Sequence, residues 1–273
     1  MQPGSTFDLH CAEHGEQYNF LLAADRRRWR ARLRRELPWL LVGSPPCTEY
    51  CLLQRNLNHP RMDPEEVRRR RAEAALLFAF ALACYVFQLR GGRHFLHEHP
   101  ATAASWNEPA MRRLIQDRRV GTVVADQCAY GLVTSGPEGK PMPARKPTRF
   151  ASSAPAVLER LGRRCDGSHV HQPLVSGRPA AAALYPQDLC RAIVLGAEEQ
   201  RRRQGFPVPP AVERLLDAGV GVFALTSEGK EELDMEVEGW VEDKTTGDEA
   251  ENLEQWLGTP FVVSPVVTIH GVR

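Results

Sequence analysis

Apolar and polar positions along this chain follow two periods, one suited to strands and one to helices. Leu40-Leu41-Val42 is a short apolar run that stops at Gly43-Ser44-Pro45-Pro46. It predicts a buried strand over residues 38–42 and a stiff loop after it, because each proline fixes its own φ and restricts the residue before it. Asp63-Pro64-Glu65-Glu66 then opens a long apolar-rich stretch ending at Gly91-Gly92. An N-cap aspartate, proline at the first helical position and acidic residues in the first turn predict a helix over 64–90. Upstream, 26–36 reads as a short surface helix in which Trp29 and Leu33 touch at i,i+4 amid charge. Downstream the pattern predicts strands over 94–98 and 120–128, with a helix over 108–117 between them that places Met111, Leu114 and Ile115 on one face. Residues 131–145, rich in glycine and proline, read as a long loop, and 146–150 as extended chain. Ser153 with Pro155 starts a helix carrying Val157, Leu158 and Leu161, and 186–204 reads as the last clear helix, with Leu189, Ile193 and Val194 toward the core.

Strands alternating with helices over 38–204 predict a doubly wound α/β domain with a mostly parallel sheet, assigned to residues 1–205. Beyond Phe206-Pro207-Val208-Pro209-Pro210 the character changes: a short helix is expected over 212–218, a strand over 220–225 and acidic, partly disordered chain over 227–254. Residues 206–273 are therefore read as an acidic appendage. The length of 273 residues with 42% hydrophobic content suits one full α/β core at about 100–200 residues per domain.

Charge sharpens this division. The net +1 hides 31 Lys+Arg against 20 Asp+Glu in residues 1–205, and 4 against 14 in residues 206–273. A basic body is what a phosphate backbone demands, although arginine makes up 31 of the 35 basic residues, which a composition bias explains equally well. Seven cysteines, odd in number and without a Cys-x-x-Cys pair, argue against a secreted disulfide framework and for an intracellular protein, nuclear or cytoplasmic. The start of the chain has no basic and apolar leader, and the longest apolar-leaning run, 74–87, falls short of the ~20 residues of a spanning helix, so no membrane partner is expected.

Two places carry candidate chemistry. Cys47 ends the Gly43-Ser44-Pro45-Pro46 loop, where a held thiol can serve as a nucleophile once ionised or as a small buried residue. Glu98 lies near the end of the next predicted strand, and period-two alternation separates it and Leu96 from His97 and His99. These motifs, with Asp126-Gln127-Cys128-Ala129-Tyr130-Gly131 and Lys146-Pro147-Thr148 following in order, resemble the DNA cytosine-5 methyltransferases. The likeness is to the phage-type branch and to the methylase-like segment of Copia-type retroelement polyproteins of protists. It covers about residues 5–204. In that family a Pro-Cys nucleophile follows the fourth strand and a Glu-Asn glutamate follows the fifth; here the latter reads Glu98-His99-Pro100, and the family's Gln-x-Arg-x-Arg motif has no counterpart.

The resemblance implies a class I methyltransferase fold and a catalytic pair. Cys47 would attack the cytosine ring carbon beside the one to be methylated, and Glu98 would protonate the ring nitrogen. The base would be flipped out of DNA, or taken from RNA, with Arg145, Lys146 and Arg149 gripping phosphates. The cofactor would be S-adenosylmethionine, with Asp8 at its ribose and Ser44 and Pro45 beside it. No Gly-x-Gly precedes Cys47, so the expectation is an N-terminally truncated or degenerate methyltransferase lacking the first strand, its Thr6-Phe7-Asp8-Leu9 a remnant of the second. Whether it acts as an enzyme is left open at this level. The alternative is a non-catalytic nucleic-acid-binding module of a retroelement polyprotein. A weaker alternative is a zinc-binding nucleic-acid module holding the ion with Cys128, Cys165, His169 and His171; the spacing matches no strong zinc motif, so zinc is disfavoured and no metal is expected.

Overall fold

The computed structural model describes residues 2–7, 17–174, 182, 184–207 and 266–270. Its main sheet has six strands: β1 (Gln2–Phe7), β2 (Leu40–Gly43), β3 (His94–Pro100), β4 (Gly121–Asp126), β7 (Pro147–Ser152) and β8 (Val266–His270), in the order β1-β8-β2-β3-β7-β4. Strands β5 (Val133–Ser135) and β6 (Pro141–Pro143) form a separate hairpin. The sheet is mixed. Only β2 and β3 are parallel neighbours, while β7 and β8 run against the strands beside them. The expected mostly parallel sheet is thus corrected in its ladders, because β7 inserts between β3 and β4, and β8 between β1 and β2.

Among the described residues, five α-helices accompany the sheet: α1 (Ala23–Glu36), α2 (Pro64–Arg90), α3 (Pro109–Ile115), α4 (Pro155–Arg160) and α5 (Gln187–Arg203). Alternation along the strands sorts the core into two layers. Leu41, Phe95 and Ala151 pack with residues of α1, α2 and α3, while Leu40, Val42, Leu96 and Phe150 pack with residues of α4 and α5. Helices therefore cover both faces, as an α/β sandwich requires.

Helix α2 begins as its sequence predicts, with the Asp63 carboxylate accepting the Glu65 N–H at 3.4 Å, and ends at Gly91. Its apolar part passes the length and composition of a membrane span, yet 56% of that stretch is buried inside this fold, Phe78, Leu82 and Tyr85 among it. Gln88, fully buried near its end, donates to the carbonyls of Pro38 and His94 at 2.8 and 2.9 Å and accepts from Arg93 Nε at 2.9 Å. One side chain thereby joins the entrances of β2 and β3.

Two expectations change, while the helix over 26–36 forms as α1, with only Trp29 and Leu33 buried and Trp29 packed on Tyr18 and Phe20 of the segment before it. Residues 131–145 are an ordered hairpin, closed by Gly136 N–H to the Lys140 carbonyl at 2.8 Å. The stretch 206–273, read as an appendage, supplies β8 to the main sheet; the elements expected over 212–225 and 227–254 lie outside the described residues.

Gly43 ends β2 where a Cβ would overlap the hydroxyl of Tyr85, a fully buried side chain with no room to retreat. We expect Gly43→Ala to destabilise the fold by about 1–3 kcal/mol through overpacking, read as a lower urea midpoint; an unchanged midpoint contradicts this packing.

Candidate functional site

The parallel register of β2 and β3 builds the first site. Gly43 pairs with His97, so the next residues, Ser44 and Glu98, lie side by side. Ser44 Oγ donates to Glu98 Oε2 at 2.9 Å, which spends its only proton, so the Tyr185 hydroxyl at 2.5 Å must be the donor to Ser44. The relay Tyr185→Ser44→Glu98 leaves Glu98 Oε1 buried with no hydrogen-bond partner among the described residues. Burial, then the charge of Glu98, raises the Tyr185 hydroxyl well above its usual range, keeping it a donor.

Cys47 closes the same loop, half-buried, and burial first and the Glu98 charge second push its thiol up to about 11, with Lys146 pulling the other way. Thiol, carboxylate and ammonium are thus within electrostatic reach of one another. At neutral pH the resting residue is therefore a thiol.

The opposite face of β3 holds the loop in place. His99 Nε2 lies 2.8 Å from the Pro45 carbonyl, which can only accept, so Nε2 carries the proton. Burial lowers the His99 ring to about 4, leaving it neutral, so Nδ1 accepts from the Ser105 hydroxyl at 2.6 Å. Where the resemblance implies an asparagine, this histidine ties β3 to the Pro45-Pro46 turn.

Ser44 and Pro45, expected beside the cofactor, direct their polar groups into the fold, the hydroxyl to Glu98 and the carbonyl to His99. Asp8 lies outside the described residues.

The three residues expected to grip phosphates do not form one patch. Lys146 faces Cys47 and donates to the Ala182 carbonyl at 3.0 Å. Arg145 pairs with buried Asp126 at 3.3 Å. Arg149 pairs across the sheet with His99, whereas Phe150 pairs with Glu98, so Arg149 is on the face away from Glu98, its guanidinium 4.6 Å from the Trp106 ring centroid.

A second cluster forms where β4 ends. Cys128, in the turn after that strand, meets Cys165, His169 and His171 from the loop after α4, and all four ligand atoms lie within 4.8 Å of one another. These residues can hold a metal ion, and the expectation that they would not loses its ground. The fold brings Cys128, the fourth member of the set named from the sequence, to the loop's three ligands from 37 positions before Cys165, a meeting that spacing along the chain cannot show. Asp126, fully buried, anchors the loop by accepting Cys165 N–H at 3.1 Å and Arg164 Nε at 2.9 Å. Burial opposes its ionisation, but Cys165 N–H, Arg164 and Arg145 outweigh it and hold the carboxyl below its usual range. Tyr185 and Asp126 escape a sequence reading, since nothing near either in the chain marks its partner.

Comparison of the chain with protein-family models, with curated proteins and with solved structures finds no match.

Burial lowers all three imidazoles of β3, those of His94, His97 and His99, and the last two set a pH dependence. His97 is held well below its usual range and His99 is lowered to about 4, so between about 6.5 and 4 the unfolded chain binds more protons than the folded one. Stability is complete above that window and is lost as pH falls through it, by about 1.4 kcal/mol per pH unit for each histidine. Urea midpoints at pH 7, 6 and 5 should fall accordingly, and His99→Gln, which keeps the donor to Pro45 without titrating, should flatten the slope by one histidine's share. An unaltered slope rejects the buried neutral assignment.

Proposed function

We propose that the chain is a DNA cytosine-5 methyltransferase-like domain whose described residues form the base-attacking half of the site. The observation that carries this reading is the Glu98 carboxylate, one oxygen held by Ser44 and the other buried without a partner, beside the Cys47 thiol. A buried unpaired oxygen costs about 1–3 kcal/mol, and a ligand with ring nitrogen and amino groups would relieve it.

The chemistry follows from the charges. Burial and the Glu98 charge keep the Cys47 thiol protonated, and moving the thiol proton onto the carboxylate removes the second of these. The resulting thiolate forms a bond to the ring carbon beside the target position, the ring double bond shifts toward the ring nitrogen, and that nitrogen takes the proton from Glu98. The base becomes an enamine. Lys146 offsets the negative charge of the attacking sulfur, and the Pro45 turn, fixed by His99, sets the direction of attack.

This half-reaction has a test that needs no cofactor. Reversible addition and protonation exchange the hydrogen on the target ring carbon with solvent, so DNA carrying cytosine tritiated there should release tritium in the presence of the full chain. We expect Cys47→Ala to abolish release and Glu98→Gln to slow it by about 10²-fold or more. A folded chain that releases none sinks the catalytic reading.

The engagement of Ser44 and Pro45 within the fold favours a second reading, a non-catalytic nucleic-acid-binding module of a retroelement polyprotein. Salt-sensitive DNA binding without tritium release would select it.

A further inference from the structure

We infer that Cys128, Cys165, His169 and His171 form a closed zinc site that pins the loop after α4 to the end of β4. This inference stands independently of the chemistry at Cys47. Two sulfurs and two imidazoles are the mixed donor set of tetrahedral structural zinc, and four protein ligands leave no open position for catalysis. Cys165 Sγ lies 3.3 Å from His171 Nε2 and 3.6 Å from His169 Nε2. With Zn–S ~2.3 Å and Zn–N ~2.0–2.1 Å, the sulfur–nitrogen edge of a tetrahedron is about 3.6 Å, so these separations fit one ion placed between the ligands. Both histidines offer the same nitrogen, and their ring centroids are 4.6 Å apart.

The loop is also built to hold thiolate. Gly167 N–H points to Cys165 Sγ at 3.4 Å, an approach made possible by its left-handed backbone at φ 79°. Asp166 closes the turn by accepting Ser168 N–H at 2.9 Å. Binding one Zn²⁺ releases two thiol protons to solvent and leaves two thiolates and two neutral imidazoles around the ion, a site of zero net charge.

The ion has structural work to do there. Between α4 and residue 172 the backbone is anchored only by scattered contacts, Asp126 N–H to the Arg163 carbonyl at 3.0 Å and Gln172 N–H to the Pro143 carbonyl at 2.8 Å among them. Zinc would clamp the segment between those ends and so fix the Asp126–Arg145 pair one residue from Lys146.

The test is metal analysis of the full chain purified under reducing conditions with zinc supplied, followed by cobalt substitution. We expect about one zinc per chain and, with cobalt, the visible absorption and thiolate charge-transfer bands of a tetrahedral site with two sulfurs. Cys165→Ser should lower zinc affinity at least tenfold in competition with a chromophoric chelator, and Cys47→Ser should leave it unchanged. If Cys165→Ser does not fold, the cobalt spectrum of the unaltered chain decides alone, since a spectrum without two thiolate ligands overturns the assignment. Folded chain free of zinc, zinc retained equally by Cys165→Ser, or a Cys128–Cys165 disulfide in place of free thiols would each overturn it as well.

Discussion

The parallel pairing of β2 with β3 is the constraint on which the candidate site depends. With Gly43 opposite His97, the chain leaving β2 must pass Glu98, and the Ser44–Glu98 hydrogen bond follows from that register. A slip of one residue would turn His97 or His99 toward Ser44 and bury Glu98 among the aromatic side chains of α2. Packing prevents the slip: Tyr85 fills the space beside Gly43 and shares a hydrogen bond with His97 Nδ1 at 3.2 Å, and Gln88 joins the two strand entrances. Burial raises the Tyr85 hydroxyl far above its usual range, so it keeps its proton.

Both clusters lie at the carboxyl ends of strands that point the same way. Cys47 follows β2, Glu98 is near the end of β3, and Cys128 follows β4, while β7 starts at that edge with Pro147 opposite Asp126. In open α/β sheets this edge is where ligands bind, because strand ends and loops converge there while helices close both faces. Lys146, just before β7, is the residue between the two clusters. Its charge acts on Cys47, and its neighbour Arg145 pairs with the Asp126 that organises the Cys/His loop. The loop after α4 is therefore placed to influence the chemistry at the Pro45 turn through two adjacent basic residues.

Much of the local structure was legible in the chain. The capped start of α2, the proline-locked turn after β2, and the separation of Glu98 from its histidine neighbours depend on positions a few residues apart, and steric and hydrogen-bonding rules act at that range. The depth of Trp29 was not legible, since its flanking arginines describe one side of the helix and the segment before α1 covers the other. Nor was the split of Arg145, Lys146 and Arg149. They are close in sequence, but alternation along β7 and the end of the sheet send them to three environments.

The amino-acid sequence by itself determined where β2, β3, α2 and α5 form and where the chain stiffens at Pro45-Pro46, and which residues bear thiols, carboxylates and imidazoles, because these properties are carried within one turn of chain. Tertiary structure alone decided who meets whom. Tyr185 reaches Ser44 across 141 positions, and Cys128 joins three ligands from a distant loop. Such contacts depend on strand order, on the insertion of β7 between β3 and β4, and on which face each side chain takes. Those are set by how the whole sheet buries its two apolar surfaces, which no local pattern encodes.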